Sequence, residues 1–277
     1  MKTLYLDLGM GAAGDMLTGA LLELMPDREA ALEQLNHLGL PHTQFSMERG
    51  SKCGISGTYI HVTVLGQEEQ PCQDLPQHEH HHEHEHAHEH EHDHGHHHDH
   101  SHGHHHSHTA MADIRQAVQA LSVSDAVKAQ VLGVYAHIAQ AESQVHGVPV
   151  DQIHFHEVGS LDALADITAV CYLLEQLAPE KIVASPVQVG YGKIRCAHGI
   201  LPVPAPATAQ ILLGIPIRAG DIPGELCTPT GAALLRQFVT AYDVLPTMTV
   251  NAIGYGLGTK DFPAANCLRA MLGESEA

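Results

Sequence analysis

The alternation of apolar and polar residues predicts both strands and helices along this chain. Residues 2–8 alternate and predict a strand, and a helix is expected after the glycine-rich turn that ends at Gly14. Two strands are expected within residues 43–66, around the turn residues Gly50, Ser51 and Gly54. Farther along, the patterns predict helices at 112–121, 125–145, 161–177, 207–213 and from Pro229, and strands at 181–189, 247–255 and 266–272.

Elements mixed in this order predict an α/β fold in which helices pack on a mixed sheet. One segment departs from the pattern, because residues 78–108 hold 19 of the 27 histidines, seven acids and almost nothing apolar. Such a segment cannot bury a core, so we expect a disordered histidine-rich loop. The expected organisation is an N-terminal α/β part at 1–68, the loop at 69–110, and an α/β part at 111–277 that completes the same domain.

Composition narrows the function classes. The formal charge of −19, with only 13 basic residues, argues against nucleic-acid or anionic-membrane partners. No apolar segment reaches membrane-spanning length, and Asp7 interrupts the only early apolar run, so neither a span nor a signal peptide is expected. The six cysteines are scattered without a CxxC pair, which is typical of reduced thiols. These features predict a soluble cytoplasmic protein and leave a homo-oligomer open.

The histidine-rich segment predicts metal binding. Imidazoles at this density bind nickel, copper and zinc, and the carboxylates between them add weaker oxygen ligands. A flexible tract does not hold a fixed geometry, so storage or delivery is a better interpretation than catalysis. Ligands spaced along the tract are His80, His84, His88, His92, His96, His100 and His104.

A second metal candidate is the stretch from His154 to Asp166. A short strand would place His154 and His156 on one face, beside Glu157. Ser160 can cap the following helix, which carries Asp162 and Asp166 one turn apart. Two same-face histidines beside an acid are typical of a metal site. The alternative is a strand end followed by an acidic first helical turn, and for Asp162 both interpretations stay open.

The turn at Gly9–Gly14 matches GxGxxG between a strand and a helix. That fingerprint also needs a second strand ending in an acid about 20 residues later, and residues 29–38 continue instead in helical rhythm. Glycines such as Gly11 still permit close approach of a ligand to the backbone. Asp15 at the helix start is by default a helix cap, and it is also a catalytic candidate.

An anionic substrate would need helix N-termini and the few cations close to the motifs. The sequence Thr228-Pro229-Thr230-Gly231 opens a helix, and it is either good capping or part of an anion site. The basic residues near motifs are Lys193, Arg195, Lys260 and Arg269. Candidate substrate-binding residues are therefore Gly11, Lys193, Thr228, Thr230 and Gly231, while Cys196, His198 and Cys227 beside glycine-rich turns could bind nickel or zinc.

Five stretches, in order, resemble one protein family. They are LDLGMGAAGDMLTGALLEL, HFHEVGSLDALADI, VGYGKIRCAHGILPVPAPAT, ELCTPTGAALL and GYGLGTKDFPAANCLR, with a histidine-rich insert between the first two. Over residues 3–272 the chain is similar to the LarC family of nickel-insertion proteins, which are pyridinium-3,5-bisthiocarboxylic acid mononucleotide nickel chelatases. Members are typically longer, so the chain resembles the N-terminal portion, and the family's C-terminal domain is expected to be absent from it.

The resemblance implies an enzyme of the lyase class that inserts Ni(II) into the mononucleotide. It implies coupling to CTP hydrolysis, with CTP and a divalent cation (Mg or Mn) bound through the C-terminal portion, and lactate racemase as recipient of the nickel-pincer nucleotide. Forming a carbon–nickel bond requires loss of a ring proton, so a base must lie near the metal. Glu157 and His198 are the first candidates, followed by Asp15.

Two other function classes remain open at this point. One is a nickel storage or delivery module with no chemistry of its own. The other is a nucleotide-dependent oxidoreductase that uses the turn at Gly9–Gly14.

Overall fold

The computed structural model describes residues 1–68, 73–74, 109–155, 158–196 and 199–276. Within these ranges the helices are α1 (Gly14–Leu22), α2 (Arg28–Leu35), α3 (Met111–Ala120), α4 (Asp125–His146), α5 (Leu161–Leu177), α6 (Pro206–Ile211) and α7 (Pro229–Phe238). The strands are β1 (Lys2–Asp7), β2 (Thr43–Lys52), β3 (Ile55–Val64), β4 (Gln67–Glu68), β5 (Gln73–Asp74), β6 (Thr109–Ala110), β7 (His154–Phe155), β8 (Lys181–Ala184), β9 (Val187–Gln188), β10 (Gly190–Tyr191), β11 (Lys193–Cys196), β12 (Gly199–Pro202), β13 (Ile217–Arg218), β14 (Gly224–Glu225), β15 (Ala241–Tyr242), β16 (Met248–Leu257) and β17 (Cys267–Ser275).

The main sheet is mixed, as the sequence predicts. In the described part of the chain its strand order is β15-β8-β1-β17-β16-β3-β2, with β4 beside β3. Strand β1 lies parallel to β8 and antiparallel to β17, so the two ends of the described chain meet in the middle of the sheet. The predicted α/β class with helices packed on a mixed sheet is confirmed. The histidine-rich part of that prediction lies outside the described residues.

Helix α1 is the centre of the core, because eight of its nine residues are buried. A helix that is apolar on all sides is stable only when it is covered on all sides. Strands β16 and β3 cover one side of α1, and helices α5 and α7 pack on it, with α4 beyond them. Helix α1 therefore cannot shift without disturbing both the sheet and the helical layer.

Glycine allows α1 to approach the sheet closely. A Cβ atom on Gly256 of β16 would lie 1.8 Å from the carbonyl oxygen of Met16, so only glycine fits there. At the far end of α1, the buried carboxylate of Glu23 accepts hydrogen bonds from the Thr58 hydroxyl at 2.7 Å and the Tyr255 backbone N–H at 3.0 Å. The close approach at Met16 and the Glu23 hydrogen bonds therefore hold α1 against the sheet near both of its ends.

We expect Gly256→Ala to lower the free energy of unfolding by more than about 3 kcal/mol, because the added methyl group would push α1 off the sheet. Gly54→Ala is the matched control, since its Cβ would meet no atom within 4 Å and only its positive φ of 81° is unfavourable. It should cost about 1 kcal/mol. Urea unfolding of both variants tests this, and equal losses would contradict the close-packing argument.

Two local predictions need correction. The expected strand at 181–189 is two strands, β8 and β9, separated by Ser185 and Pro186, and proline has no N–H for a central ladder. Of the expected turn residues, Gly50 and Ser51 are part of β2, whereas Gly54 lies in the turn together with Cys53, with φ of 81° and 49°. The helices within the described ranges are all too short or too polar to cross a lipid bilayer.

Candidate functional site

A cavity of about 750 Å³ lies where the first turns of α1, α5 and α7 converge. This volume is in the range of cavities that hold a small organic ligand. Strand β3, strand β11 and the loop 258–266 complete the wall among the described residues. The polar or charged side chains that line the cavity are Asp15, Glu68, Asp162, Asp166, Arg195, Glu225, Thr228, Thr230, Thr259, Lys260 and Asn266.

Backbone hydrogen bonds hold the glycine-rich turn against the start of α7. The Ala12 N–H donates to the Leu226 carbonyl at 3.0 Å, and the Thr228 N–H donates to the Ala12 carbonyl at 3.0 Å. Gly11 has φ of 80°, and a Cβ atom there would lie 1.9 Å from the Leu226 oxygen. The N-termini of α1 and α7 are consequently side by side.

The helix starts at the cavity are fixed by local chemistry. The Ser160 side chain accepts a hydrogen bond from the Ala163 N–H at 3.2 Å, and the Thr228 side chain accepts one from the Gly231 N–H at 3.1 Å. Proline at position 229 suits the first helical turn because it has no N–H to satisfy. Each helix start carries a partial positive charge. At α1 and α5 the acids Asp15 and Asp162 in the first turn offset this charge, whereas the first turn of α7 holds no acid and favours an anionic group.

Carboxylates line the same wall. Asp15 lies in the first turn of α1, and Asp162 and Asp166 lie on the cavity side of α5. Helix α5 approaches α1 so closely that a Cβ atom on Gly14 would lie 2.2 Å from an Asp166 carboxylate oxygen. The cavity therefore combines carboxylates at α1 and α5, which suit a cation, with the N-terminus of α7, which suits an anion.

Asp15 has the electrostatics of a general base. Burial raises the pKa of its carboxyl from 3.8 to about 6, although a hydrogen bond from the Met16 N–H at 2.7 Å and the nearby His61 both favour the ionised form. A carboxylate with a pKa close to the working pH is ionised at pH 7 and still basic enough to take a proton.

The loop 258–266 carries cationic and polar groups to the opposite wall. The Lys52 ammonium is buried beneath this loop, pairs with Asp261 and donates to the Lys260 carbonyl at 3.0 Å. The Asn266 amide also donates to the Lys260 carbonyl, at 2.9 Å. The Lys260 ammonium contacts Asp74 at 2.9 Å, and the Asp74 carboxylate accepts the Glu225 N–H at 3.0 Å.

A family model described as "Nickel insertion protein" matches residues 4–277. This chain belongs to the nickel insertion protein family. Proteins named pyridinium-3,5-bisthiocarboxylic acid mononucleotide nickel insertion protein are similar to it: 38% identical in Geobacillus kaustophilus, over 99% of the chain and 60% of the relative, and 42% identical in Clostridium acetobutylicum, over 100% of the chain and 65% of the relative. The family resemblance seen in the sequence is confirmed.

A relative of the same name in Desulfitobacterium hafniense is 37% identical, over 99% of the chain and 59% of its own length. The chain thus spans about 60% of the length of these nickel insertion proteins. No solved structure matches it.

Several residues predicted for the nickel insertion site lie together at the cavity. Asp15, Thr228 and Thr230 line it. Gly11 and Gly231 lie behind the wall, where they allow the turn and α7 to meet, since a Cβ atom on Gly231 would lie 2.1 Å from the Ala12 oxygen. For these two glycines, the described contacts are with protein backbone.

Other predicted residues lie apart from the cavity wall. His154 is exposed on β7, where it pairs with Ala110 of β6, and Lys193 is exposed on β11; neither lines the cavity. Other predicted residues lie outside the described ranges, namely His156, Glu157, His198 and the tract ligands His80, His84, His88, His92, His96, His100 and His104. Among described residues, no group of three histidine, cysteine or acidic side chains is arranged to hold a metal ion.

Some cavity residues were not singled out from the sequence. No role was predicted for Glu225, Phe262 or Asn266, although all three stand within family motifs. All three line the cavity. The signal that could have found them is their position beside the ELCTPTG and GYGLGT motifs. Asp162 and Asp166, for which a purely structural interpretation was open, also line it.

The dinucleotide fingerprint lacks its second half. After β1 and α1 the chain continues into α2 and the antiparallel hairpin of β2 and β3, while the parallel neighbour of β1 is β8, far along the sequence. No strand ending in an acid follows α1 at the spacing that a dinucleotide site requires. Gly11 instead accommodates Leu226, just before α7, and Gly14 accommodates Asp166 of α5.

Proposed function

We propose that this chain takes part in inserting Ni(II) into a pyridinium-3,5-bisthiocarboxylic acid mononucleotide, and that the cavity binds this substrate. The observation that carries the proposal is family membership over residues 4–277, together with the function that the relatives' names state. The size and chemistry of the cavity suit this substrate, since the N-terminus of α7 and the basic side chains suit a phosphate and the carboxylates suit a metal cation.

The proposed chemistry needs a base. A bond from nickel to a ring carbon forms as the C–H bond breaks, and the proton passes to a basic group while the electron pair stays on carbon. Asp15 fits this role because it lines the cavity and has a pKa of about 6. Glu157 and His198 remain candidates as base or as residues that orient it.

We further propose that the complete reaction is coupled to CTP hydrolysis, with CTP and a Mg or Mn ion bound by a C-terminal portion such as the longer relatives possess. The nickel-containing product would then pass to lactate racemase. Carboxylates are hard oxygen ligands, so those that line the cavity are suitable ligands for a Mg or Mn ion as well as for nickel.

The proposal is tested by incubating the chain with Ni(II), the mononucleotide and CTP, with and without the C-terminal portion of a relative. Metal content and absorbance of the isolated nucleotide measure the product. Nickel insertion that requires this chain would support the proposal. If the C-terminal portion of the relative inserts nickel equally well alone, the proposal is wrong.

We propose that His154 and His156, with Glu157 beside them, hold nickel in transit. Exposure of His154 on β7 is compatible with receiving the ion from solvent, and its strand partner Ala110 follows closely after the histidine-rich segment. Imidazole nitrogen is a good nickel donor. Val158 lines the cavity and follows His154 by only four residues, so β7 is close in sequence to the cavity wall.

Alanine at His154 or His156 is expected to reduce nickel insertion at least about tenfold at limiting nickel, with the free energy of unfolding changed by less than about 1 kcal/mol. The measurement uses protein whose tract histidines are replaced, so that the tract does not mask the loss. His37→Ala, at an exposed histidine after α2, is the control. Normal insertion by both variants would make these histidines structural.

The alternative function is nickel storage and delivery without catalysis. It is favoured by the 19 histidines of residues 78–108 and by the absence of a three-residue metal group in the described part of the chain. The two functions differ in one result. A storage module would release nickel to any acceptor at the same rate with Asp15→Asn, whereas a catalytic chain would lose insertion.

A further inference from the structure

The charged side chains of the cavity are unevenly distributed. Among described lining residues, the basic groups are Arg195 on β11 and Lys260 in the loop 258–266. Five acids also line it among the described residues: Asp15 and Asp162 in the first turns of α1 and α5, Asp166 one turn farther along α5, Glu68 on β4 and Glu225 on β14. Three of the five therefore lie on the helical wall, away from the elements that carry the two cations. The chain has 13 basic residues and a net charge of −19, so the rest of the protein does not attract a phosphate. A bound phosphate therefore depends on the basic side chains of its own site.

We infer that Arg195 and Lys260 form the phosphate subsite of this cavity, so that a pyridinium mononucleotide binds with its ring directed to the carboxylates of α1 and α5. This inference rests on the proposed function and adds the orientation of the substrate. A cationic ring and a divalent metal are both favoured beside carboxylates, whereas a phosphate there would be repelled.

Lys260 is held in place for this role. Its ammonium contacts Asp74 at 2.9 Å, and its carbonyl accepts hydrogen bonds from Lys52 and Asn266. An ammonium has three N–H donors, so one can remain with Asp74 while the others meet phosphate oxygens. Asp74 is itself tied to the Glu225 N–H, which connects this wall to the start of α7.

Arg195 is positioned by the strand that carries it. On β11 it pairs with Ile200 of β12 on one side and with Gln73 of β5 on the other, so its backbone is held from both sides. Ile194 is buried beneath the strand, while the Arg195 side chain is exposed at the cavity. A guanidinium presents its N–H groups as a fork that matches two phosphate oxygens.

The test compares two ligands that differ only by the phosphate, nicotinamide mononucleotide and nicotinamide riboside, by calorimetric titration of the complete chain. We expect the mononucleotide to bind at least about tenfold more tightly at low salt. Arg195→Gln and Lys260→Gln should each reduce that preference to within about twofold, while leaving riboside affinity unchanged. Arg195→Lys should retain part of it, because charge remains but the fork is lost.

Arg115→Gln is the matched control, since it removes one positive charge from an exposed position of α3 outside the cavity wall. Thermal unfolding shows that each variant is folded, and if Lys260→Gln is unstable the two Arg195 variants decide. A wild-type protein with no preference for the mononucleotide, or with no binding of either ligand, overturns the inference, as does a preference that survives in the cavity variants. The nickel insertion assay is evaluated separately. A protein that prefers the mononucleotide but does not insert nickel would contradict the proposed function alone. A protein that inserts nickel without this preference would contradict the phosphate subsite alone.

Discussion

Replacing Asp15 with asparagine is expected to lower the rate of nickel insertion at least about 100-fold, because a general base contributes about 10²–10⁴ to rate. Asparagine preserves the size of the side chain and can still accept the Met16 N–H, so the start of α1 should stay intact. The loss should appear mainly in kcat. Affinity for the mononucleotide should fall much less, because Asp162 and Asp166 remain beside the cationic ring. Asp221→Asn, at an exposed acid outside the cavity wall, is the control.

The pH profile gives an independent check. Since the pKa of Asp15 is about 6, the wild-type rate should rise as pH increases through 6 and level off above about pH 7. The residual rate of the asparagine variant should lack that rise. An asparagine variant with a wild-type rate, or the same rise in both proteins, would assign the base to another group such as Glu157 or His198.

The same carboxyl is expected to reduce stability at neutral pH. Below pH 3.8 the folded and unfolded states both hold the proton, so Asp15 costs nothing there. Between pH 3.8 and about 6 the unfolded state loses this proton while the folded state keeps it, so the cost grows over this range and levels off above about pH 6 at about 1–3 kcal/mol. Asp15→Asn should therefore be more stable than wild type at pH 7 and equally stable at pH 3.5, measured by urea unfolding.

Local patterns predicted much of the fold. The caps Ser160 and Thr228 are determined by short-range chemistry, and the structure has them where the sequence places them. Asp15 was expected to cap α1, but the N-cap is Ala13 without a side-chain hydrogen bond, and Asp15 lies inside the first turn. The turn at Gly50 was wrong because glycine is an ambiguous signal. There it makes room for the Tyr59 ring, since a Cβ atom on Gly50 would lie 2.2 Å from a ring carbon.

The cavity could be predicted less well than the elements. Asp15, Thr228 and Thr230 were found because they begin helices beside recognisable motifs. Arg195 was only one of four cations near motifs, and no local pattern ranks it above Lys193 on the same strand. That choice depends on the pairing of β11 with β5, which joins residues far apart in sequence. The same limit applies to Glu225 and Asn266.

Changing the 19 histidines of residues 78–108 to glutamine should remove most of the nickel that the protein binds at pH 7.5. Glutamine keeps the length of the segment and its seven acids, so the variant separates imidazole ligands from carboxylates. The described residues nearest the segment on either side have contacts of their own. Asp74 forms an ion pair with Lys260, and Thr109 pairs with Phe155 between β6 and β7. The fold should therefore be unchanged, as measured by circular dichroism and thermal unfolding.

Nickel insertion by this variant should fall at limiting nickel and return to the wild-type rate when nickel is saturating. Storage raises the local supply of the ion, and excess free ion replaces that supply. Nickel bound by the wild-type protein should also decrease below about pH 6, because protonated imidazole does not coordinate, and the variant should lack most of this change. If the variant stayed inactive at saturating nickel while folded, the histidines would belong to the reaction itself, and delivery would be the wrong role.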